Sequence, residues 1–520
     1  MTSNLGRKLN FRGLCISLLF LTISFPFLPL ASASDPVHQS VEANCPKLVY
    51  SKDWVKKENE KSGDGNWNKL VKNEAKGHVS GWFSETSAAC GENVGLHLSG
   101  NDRQVKVSIY RMGYYAGTTA RLVFSEGIGR VPAGAPPTVS QDQIHLTTTN
   151  WPTTTTIHID ENYPTGIYMA RFDDGGEPGY APLIIRSNTP QSDLVMVAAT
   201  MTWQAYNTWG GWSLYHGPNP ITYSPGRIVS FNRPYDRDGK SNFTVNDAGI
   251  VQSAESLGLN ISYTDDVYLS AHPKSLLGHA SVIYDGHTEY WTNQMHEAAF
   301  RARDSGVNLL FLGANSAYWR TRLENNGRLI VCWKGSPDDP FSNDPKMITN
   351  KWGEIPNASN ESELLGALMA GIGVEADYTV NDSKIWPLAG TGLISGQTIF
   401  GVVGKEVETT DIGIAPAVQT FLTSRVKIHG TWYNIHLSYY TTASNSGVID
   451  VGTNGWVCTM TSSCTWKSKA TSESRSQLRS ITANILAAGA IGPLALLHPE
   501  VSDIPAKNKL EEICIKACEK

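Results

Sequence analysis

Apolar and polar positions repeat along this chain with two different periods. Between about residues 77 and 190 the period is two: Asn93-Val-Gly-Leu-His-Leu, Val105-Lys-Val-Ser-Ile-Tyr and Thr155-Thr-Ile-His-Ile each put apolar side chains on one face. Gly, Pro and Asn clusters separate these runs, which predicts an antiparallel β-sandwich. From about 191 to 493, short apolar runs alternate with stretches of helical period, which predicts an α/β layered domain with a mainly parallel sheet. Strands are expected at 194–199, 262–266, 281–284, 307–312 and 398–403, and helices at 249–257, 292–304, 361–370 and 476–488. The stretch 280–322 reads as one βαβ unit with a right-handed crossover. Thr292 caps its helix, and Ser305-Gly306 ends it. Ligands of such sheets sit beyond the carboxyl ends of the strands, where His287, Glu289 and Asn315 fall.

The ends of the chain are patterned differently. Arg7, Lys8 and Arg12 precede an apolar run at 14–30 and the small residues Ala31-Ser32-Ala33, which reads as a signal peptide over 1–33 and predicts export. No later stretch is long and apolar enough to span a bilayer. Residues 34–76 form a polar extension, and 494–520 a tail with a last helix near 508–518. The 520 residues carry a formal charge of -5, which gives no reason to expect nucleic acid or an anionic membrane as partner. Export agrees with the cysteines. Beyond Cys15 there are seven, an odd number that leaves at least one thiol free or intermolecular. Cys458 and Cys464 flank a short loop and are expected to pair, Cys514 and Cys518 are too poorly disposed to pair with each other, and one of these two is expected to meet Cys45. Sequons at Asn242, Asn260, Asn357, Asn360 and Asn381 would be surface sites in a glycosylating host.

Common catalytic signatures are absent. The chain has no nucleophile elbow, P-loop, H-E-x-x-H or dinucleotide glycine fingerprint. Cys332 sits in an apolar run and reads as core. There remains a set of oxygen and aromatic side chains at strand ends. Taken alone, a tyrosine such as Tyr168 or Tyr206 is more often a buried, hydrogen-bonded aromatic than a ligand. Glu289 alone could complement a helix dipole.

YRMGYYAG, TGIYMARF, TWQAYNTWGG, FNRPY, YTDDV, GHTEYW and GVNLLFLGANSAYWR, in this order, resemble the large (beta) subunit of N,N-dimethylformamidase and its C-terminal-domain relatives over roughly 77–490. The resemblance implies the same two-part architecture, its second part flavodoxin- or glutamine-amidotransferase-like, and an amidase with mononuclear iron. It puts the metal on Tyr168, Tyr206 and Glu289, and active-site roles on His287, Asn315 and Glu406. Hard oxygen donors suit Fe(III). A three-ligand ion leaves room to polarise an amide carbonyl and acidify water. His287 would move protons, and Asn315 would hold the oxyanion or orient the amide. Two other classes fit the residues. One is a secreted protein that grips a saccharide or peptide with Trp203, Trp209, Trp212, Trp291 and Trp319. The other is a carbohydrate-active enzyme pairing Glu289 with Asp265 or Asp266. Self-association into a homo-oligomer is left open.

Overall fold

The structure, a computed structural model, describes residues 50–69, 78–188, 192–219, 223–236, 239–284 and 286–507. These belong to one compact unit, 41–520; the remaining unit, 1–40, lies outside the described residues, as do the expected signal peptide, Cys45 and the helix at 508–518.

Two sheets form where the period of two predicts strands. Ser80–Phe83, Asn93–Ser99 and Thr155–His158 make a three-stranded antiparallel sheet. Ser87–Ala89, Gly179–Arg186, Gly166–Asp173, Arg103–Met112 and Ala120–Val131 make a five-stranded one, antiparallel except for its first pair. The alternation in Asn93–Ser99 buries Val94, Leu96 and Leu98, which join Val107, Ile109, Leu183 and Ile185 of the larger sheet in one core.

The remaining chain is organised on a nine-stranded sheet. Its order is Ile261–Asp265, Leu194–Ala198, Ser281–Tyr284, Asn308–Phe311, Gly447–Asp450, Thr431–Thr441, Gln419–Ile428, Leu368–Val380, Thr398–Thr409. The first five strands are parallel, and the expected βαβ unit lies among them: Ser281–Tyr284 and Asn308–Phe311 are neighbours joined by the helix Asn293–Asp304, capped by Thr292. These strands are apolar on both faces because helices cover both. Val195 and Val197 face Met201, Ala298 and Ala302 on one side; Leu194 and Met196 face Ile250, Leu478 and Ile481 on the other.

The expectation of a mainly parallel sheet holds for that half only, because every pairing from Gly447–Asp450 onward is antiparallel. The helix expected at 361–370 stops at Leu365 on a left-handed Gly366, and Leu368 opens a thirteen-residue strand instead. The strand expected at 398–403 runs on to Thr409. It curls back over the parallel half, where Val407 bridges Thr453, Asn454 N donates to Glu406 O, and Glu408 N donates to Gly452 O. Its last turn thereby reaches the carboxyl ends of the parallel strands. Tyr290–Thr292, which leads into the helix, is a short strand parallel to Trp319–Glu324.

Cys458 and Cys464 are bonded, Cys90 is in a disulfide, and Cys332 is free and buried. Asn260 departs from its expectation as a surface sequon: it is buried, and its Oδ1 accepts from Trp54 Nε1. No helix among the described residues is long and apolar enough to cross a membrane.

Candidate active site

The helix Thr200–Tyr206 follows the strand Leu194–Ala198 directly, so its last residue, Tyr206, stands beyond a strand's carboxyl end. Gly210 and Gly211, both with positive φ, then fold the chain back, and Leu214 N donates to Ala205 O. The return lays Tyr215 against Tyr206, with ring centroids 4.6 Å apart. The same helix fixes the neighbouring loop. Thr202 Oγ1 accepts from Glu289 N at 3.0 Å and Tyr290 N at 3.2 Å. The loop after Asn308–Phe311 is tied on in turn, with Ala317 N donating to Thr288 O and Tyr318 N to Glu289 O.

These turns bring a set of polar side chains together. Tyr215 Oη donates to Glu289 Oε1, and Trp319 Nε1 donates to Tyr215 Oη at 3.1 Å. His287 Nε2 lies 3.0 Å from Glu406 Oε2 and 3.5 Å from Glu289 Oε2. Asn315 Nδ2 donates to Glu406 Oε2 at 3.0 Å. The Lys334 ammonium sits 3.3 Å above the Tyr215 ring, with Trp319 4.9 Å away. Glu289 is 1 % and Glu406 8 % exposed, so these charges act in a water-poor interior where their interactions are strong.

The protonation pattern follows from that burial. Burial works against a charge on His287, but Glu406 and Glu289 outweigh it and hold its pKa above the usual value. Burial also opposes the Glu406 charge, yet His287 and Asn315 pull its pKa down to about 2. Burial and the Glu406 charge push Glu289 up. Burial, with the Glu289 charge beside them, keeps the Tyr206 and Tyr215 phenols well above their ordinary range. Lys334 is lowered to about 8, chiefly by burial. Because Glu406 is ionised, the Asn315 group facing it is the amide N–H, and Asn315 Oδ1 is left buried without a partner. Glu289 Oε2 has no hydrogen bond either.

Five of the six residues singled out from sequence thus meet: Tyr206, His287, Glu289, Asn315 and Glu406. Tyr168 does not join them. Its phenol donates to Pro164 O at 2.6 Å, and it packs in the core of the N-terminal sheets, with Arg111, Tyr115, Glu58 and Tyr50 as its charged and phenolic surroundings. The second phenol beside Glu289 is Tyr215. The Gly210-Gly211 pair, which marks a chain reversal between two tyrosines, was the one signal for it in the sequence. Lys334 carried none, since a lysine ending an apolar run ordinarily marks the return to solvent.

The carboxylates offered as partners of Glu289 in a glycosidase have structural work. Asp265 accepts from Thr86 and Ser87 at 2.6 Å each and caps a helix; Asp266 accepts from Thr200 Oγ1 and Met201 N. Trp203 and Trp291 are core residues and offer no platform. Among the described residues, no group of three or more His, Cys, Asp or Glu could hold a metal; an oxygen set here depends on phenols.

The family model described as N,N-dimethylformamidase beta subunit-like, C-terminal, matches residues 106–469. No curated protein matches the chain.

Proposed function

Because the chain belongs to the N,N-dimethylformamidase beta subunit-like, C-terminal family, we propose that it hydrolyses an amide C–N bond at the cluster around Glu289. The observation that carries this reading is the meeting of Tyr206, Tyr215 and Glu289 with a histidine held between two buried carboxylates. The donor set fits a hard cation. It offers two phenols and a carboxylate, and Glu289 Oε2 is buried without a hydrogen bond. Tyr206, Tyr215 and Glu289 would hold Fe(III), which when bound supplies Lewis acidity toward a carbonyl and acidity to water.

The chain's own residues do the rest. The Glu406 carboxylate, 3.0 Å from Nε2, stabilises the charge on His287 after it takes a proton from water, and His287 then hands that proton to the leaving nitrogen. Asn315 Oδ1, with its N–H spent on Glu406, is an acceptor that can orient a substrate N–H or a water; this replaces the oxyanion role expected from sequence. Lys334 presses on the Tyr215 ring and fixes it. We read the basic and apolar pattern of residues 7–33, together with the disulfides, as that of an exported protein acting on an amide outside the cytosol.

The test is elemental analysis and a visible spectrum of iron-loaded protein, with turnover of a short N-alkyl formamide. Iron and a phenolate-to-iron band are expected in the unaltered chain and lost in Glu289→Gln. His287→Gln should keep both and lose ~10²-fold or more in kcat. Hydrolysis that persists in Glu289→Gln would refute the proposal.

A further inference from the structure

The loop that presents Asn315 is strained. Asn315 and Ala317 have φ of 58° and 51°, a left-handed region that Asn enters readily but that strains Ala317. Something must hold it. Asn454 Oδ1 accepts from Ala314 N at 2.8 Å, and Glu408 Oε1 accepts from Ser316 N at 2.8 Å. Glu406 and Glu408, two apart on one strand, therefore grip consecutive residues of the loop, one through the Asn315 side chain and one through the Ser316 backbone.

Glu408 does not stand alone. Glu408 N donates to Gly452 O, two residues beyond Asp450, which ends the strand Gly447–Asp450; both side chains are fully buried and act on each other. Asp450 Oδ1 accepts from Gly452 N at 3.1 Å. Glu408 Oε2 and Asp450 Oδ2 are buried without a hydrogen-bond partner. The ionisable groups that face the pair are Glu361 and Tyr378, and neither brings a positive charge. Two carboxylates cannot hydrogen-bond each other, and unpaired charges are not tolerated in a dry interior. One proton between Oε2 and Oδ2 removes both difficulties and leaves Glu408 Oε1 free to accept from Ser316.

We propose that Glu408 and Asp450 share one proton and, as a pair, are positioning residues that hold the loop 313–317 so that Asn315 faces the site. The value of this for turnover rests on the proposed reading of Asn315. The shared proton itself does not. Burial raises both groups; Asp450 pushes Glu408 up further, while Glu408 and the Gly452 N–H hold Asp450 back. Loss of the shared proton at alkaline pH puts two charges side by side and loosens the grip on Ser316.

The experiment uses the full chain with Asp450→Asn and Glu408→Gln. Infrared difference spectra across neutral to alkaline pH should show a protonated-carboxyl carbonyl band in the unaltered protein beyond the one that Glu361→Gln removes, and this second band should be absent in both variants. Hydrogen exchange at the Ser316 amide should accelerate by tenfold or more beyond its intrinsic pH dependence in the unaltered protein, and not in Asp450→Asn. If turnover is found, its alkaline fall should disappear in Asp450→Asn. No such band in the unaltered protein, or a band unchanged in both variants, overturns the proposal. The first two readouts need neither iron nor substrate, so an inactive protein that passes them defeats the amidase reading and leaves the proton pair standing.

Discussion

Arg111 is fully buried, and its guanidinium meets Glu255 at 2.6 and 3.0 Å while also donating to Tyr115 Oη and Thr165 O. From sequence, YRMGYYAG reads as a strand, a turn and packing aromatics. The structure keeps the strand and turn and makes the arginine the centre of a charge network joining the N-terminal sheets to the helix Ala248–Ser256. Arg111→Met strands the Glu255 charge and should cost ~3–5 kcal/mol in urea unfolding, whereas Arg111→Met with Glu255→Leu should recover much of that loss. Tyr168 and Tyr215 make a second comparison. Tyr215→Phe should abolish the iron band, while Tyr168→Phe should leave it and cost ~1 kcal/mol for its bond to Pro164. Residue types and spacing gave Tyr206, Glu289 and His287 their place, because each sits on or beside a predicted strand end. It was the resemblance, not the spacing, that put Tyr168 in the ligand set; the reading of a lone tyrosine as a buried, hydrogen-bonded aromatic describes its place here.

At the scale of elements, the βαβ unit was readable because its strands are apolar beyond their first residue, its helix is capped by Thr292, and Ser305-Gly306 closes it. The strand-ending loops were readable only as loops. Gly313 shows what they require: a Cβ there would lie 2.2 Å from Gly286 O, so the loops bearing His287 and Asn315 touch backbone to backbone. Gly313→Ala should therefore force them apart, costing ~1–3 kcal/mol of stability. Its fall in kcat should exceed any rise in KM, measured by steady-state kinetics beside denaturant titration. The helix expected past Leu365 failed for a local reason. Gly366 takes φ +84°, where its Cβ-free backbone lets the chain turn, and the residues beyond it pair as the long strand Leu368–Val380.

For the whole molecule, hydrophobic patterning revealed both textures, all-β then layered α/β, but not that the sheet changes character halfway. Antiparallel strands such as Gln419–Ile428 and Thr431–Thr441 are joined by the tight turn at His429-Gly430, a long-range consequence of pairing that no single run displays. Global stability should also carry the mark of its buried acids. Glu361 is pushed up to about 8, chiefly by burial. Its folded pKa exceeds its unfolded one, so between about 4.5 and 8 the native state holds a proton the unfolded chain has released. That contribution is intact below this window and declines as pH rises through it. Thermal midpoints should fall from pH 5 to 8.5, and Glu361→Gln should flatten the fall.

One short strand has a consequence for how the chain is assembled. Gly447–Asp450 lies in the middle of the nine, between Asn308–Phe311 and Thr431–Thr441, although it is the last of them in sequence. During synthesis, the parallel and antiparallel halves can each begin to pair, but neither has an inner neighbour until this four-residue piece has left the ribosome. Both halves must wait with an unsatisfied edge, and closure depends on contacts distant in sequence, which are slow to find. A nascent chain stopped near residue 440 should be protease-sensitive throughout this sheet, and one extended past its final long helix should become resistant in a single step.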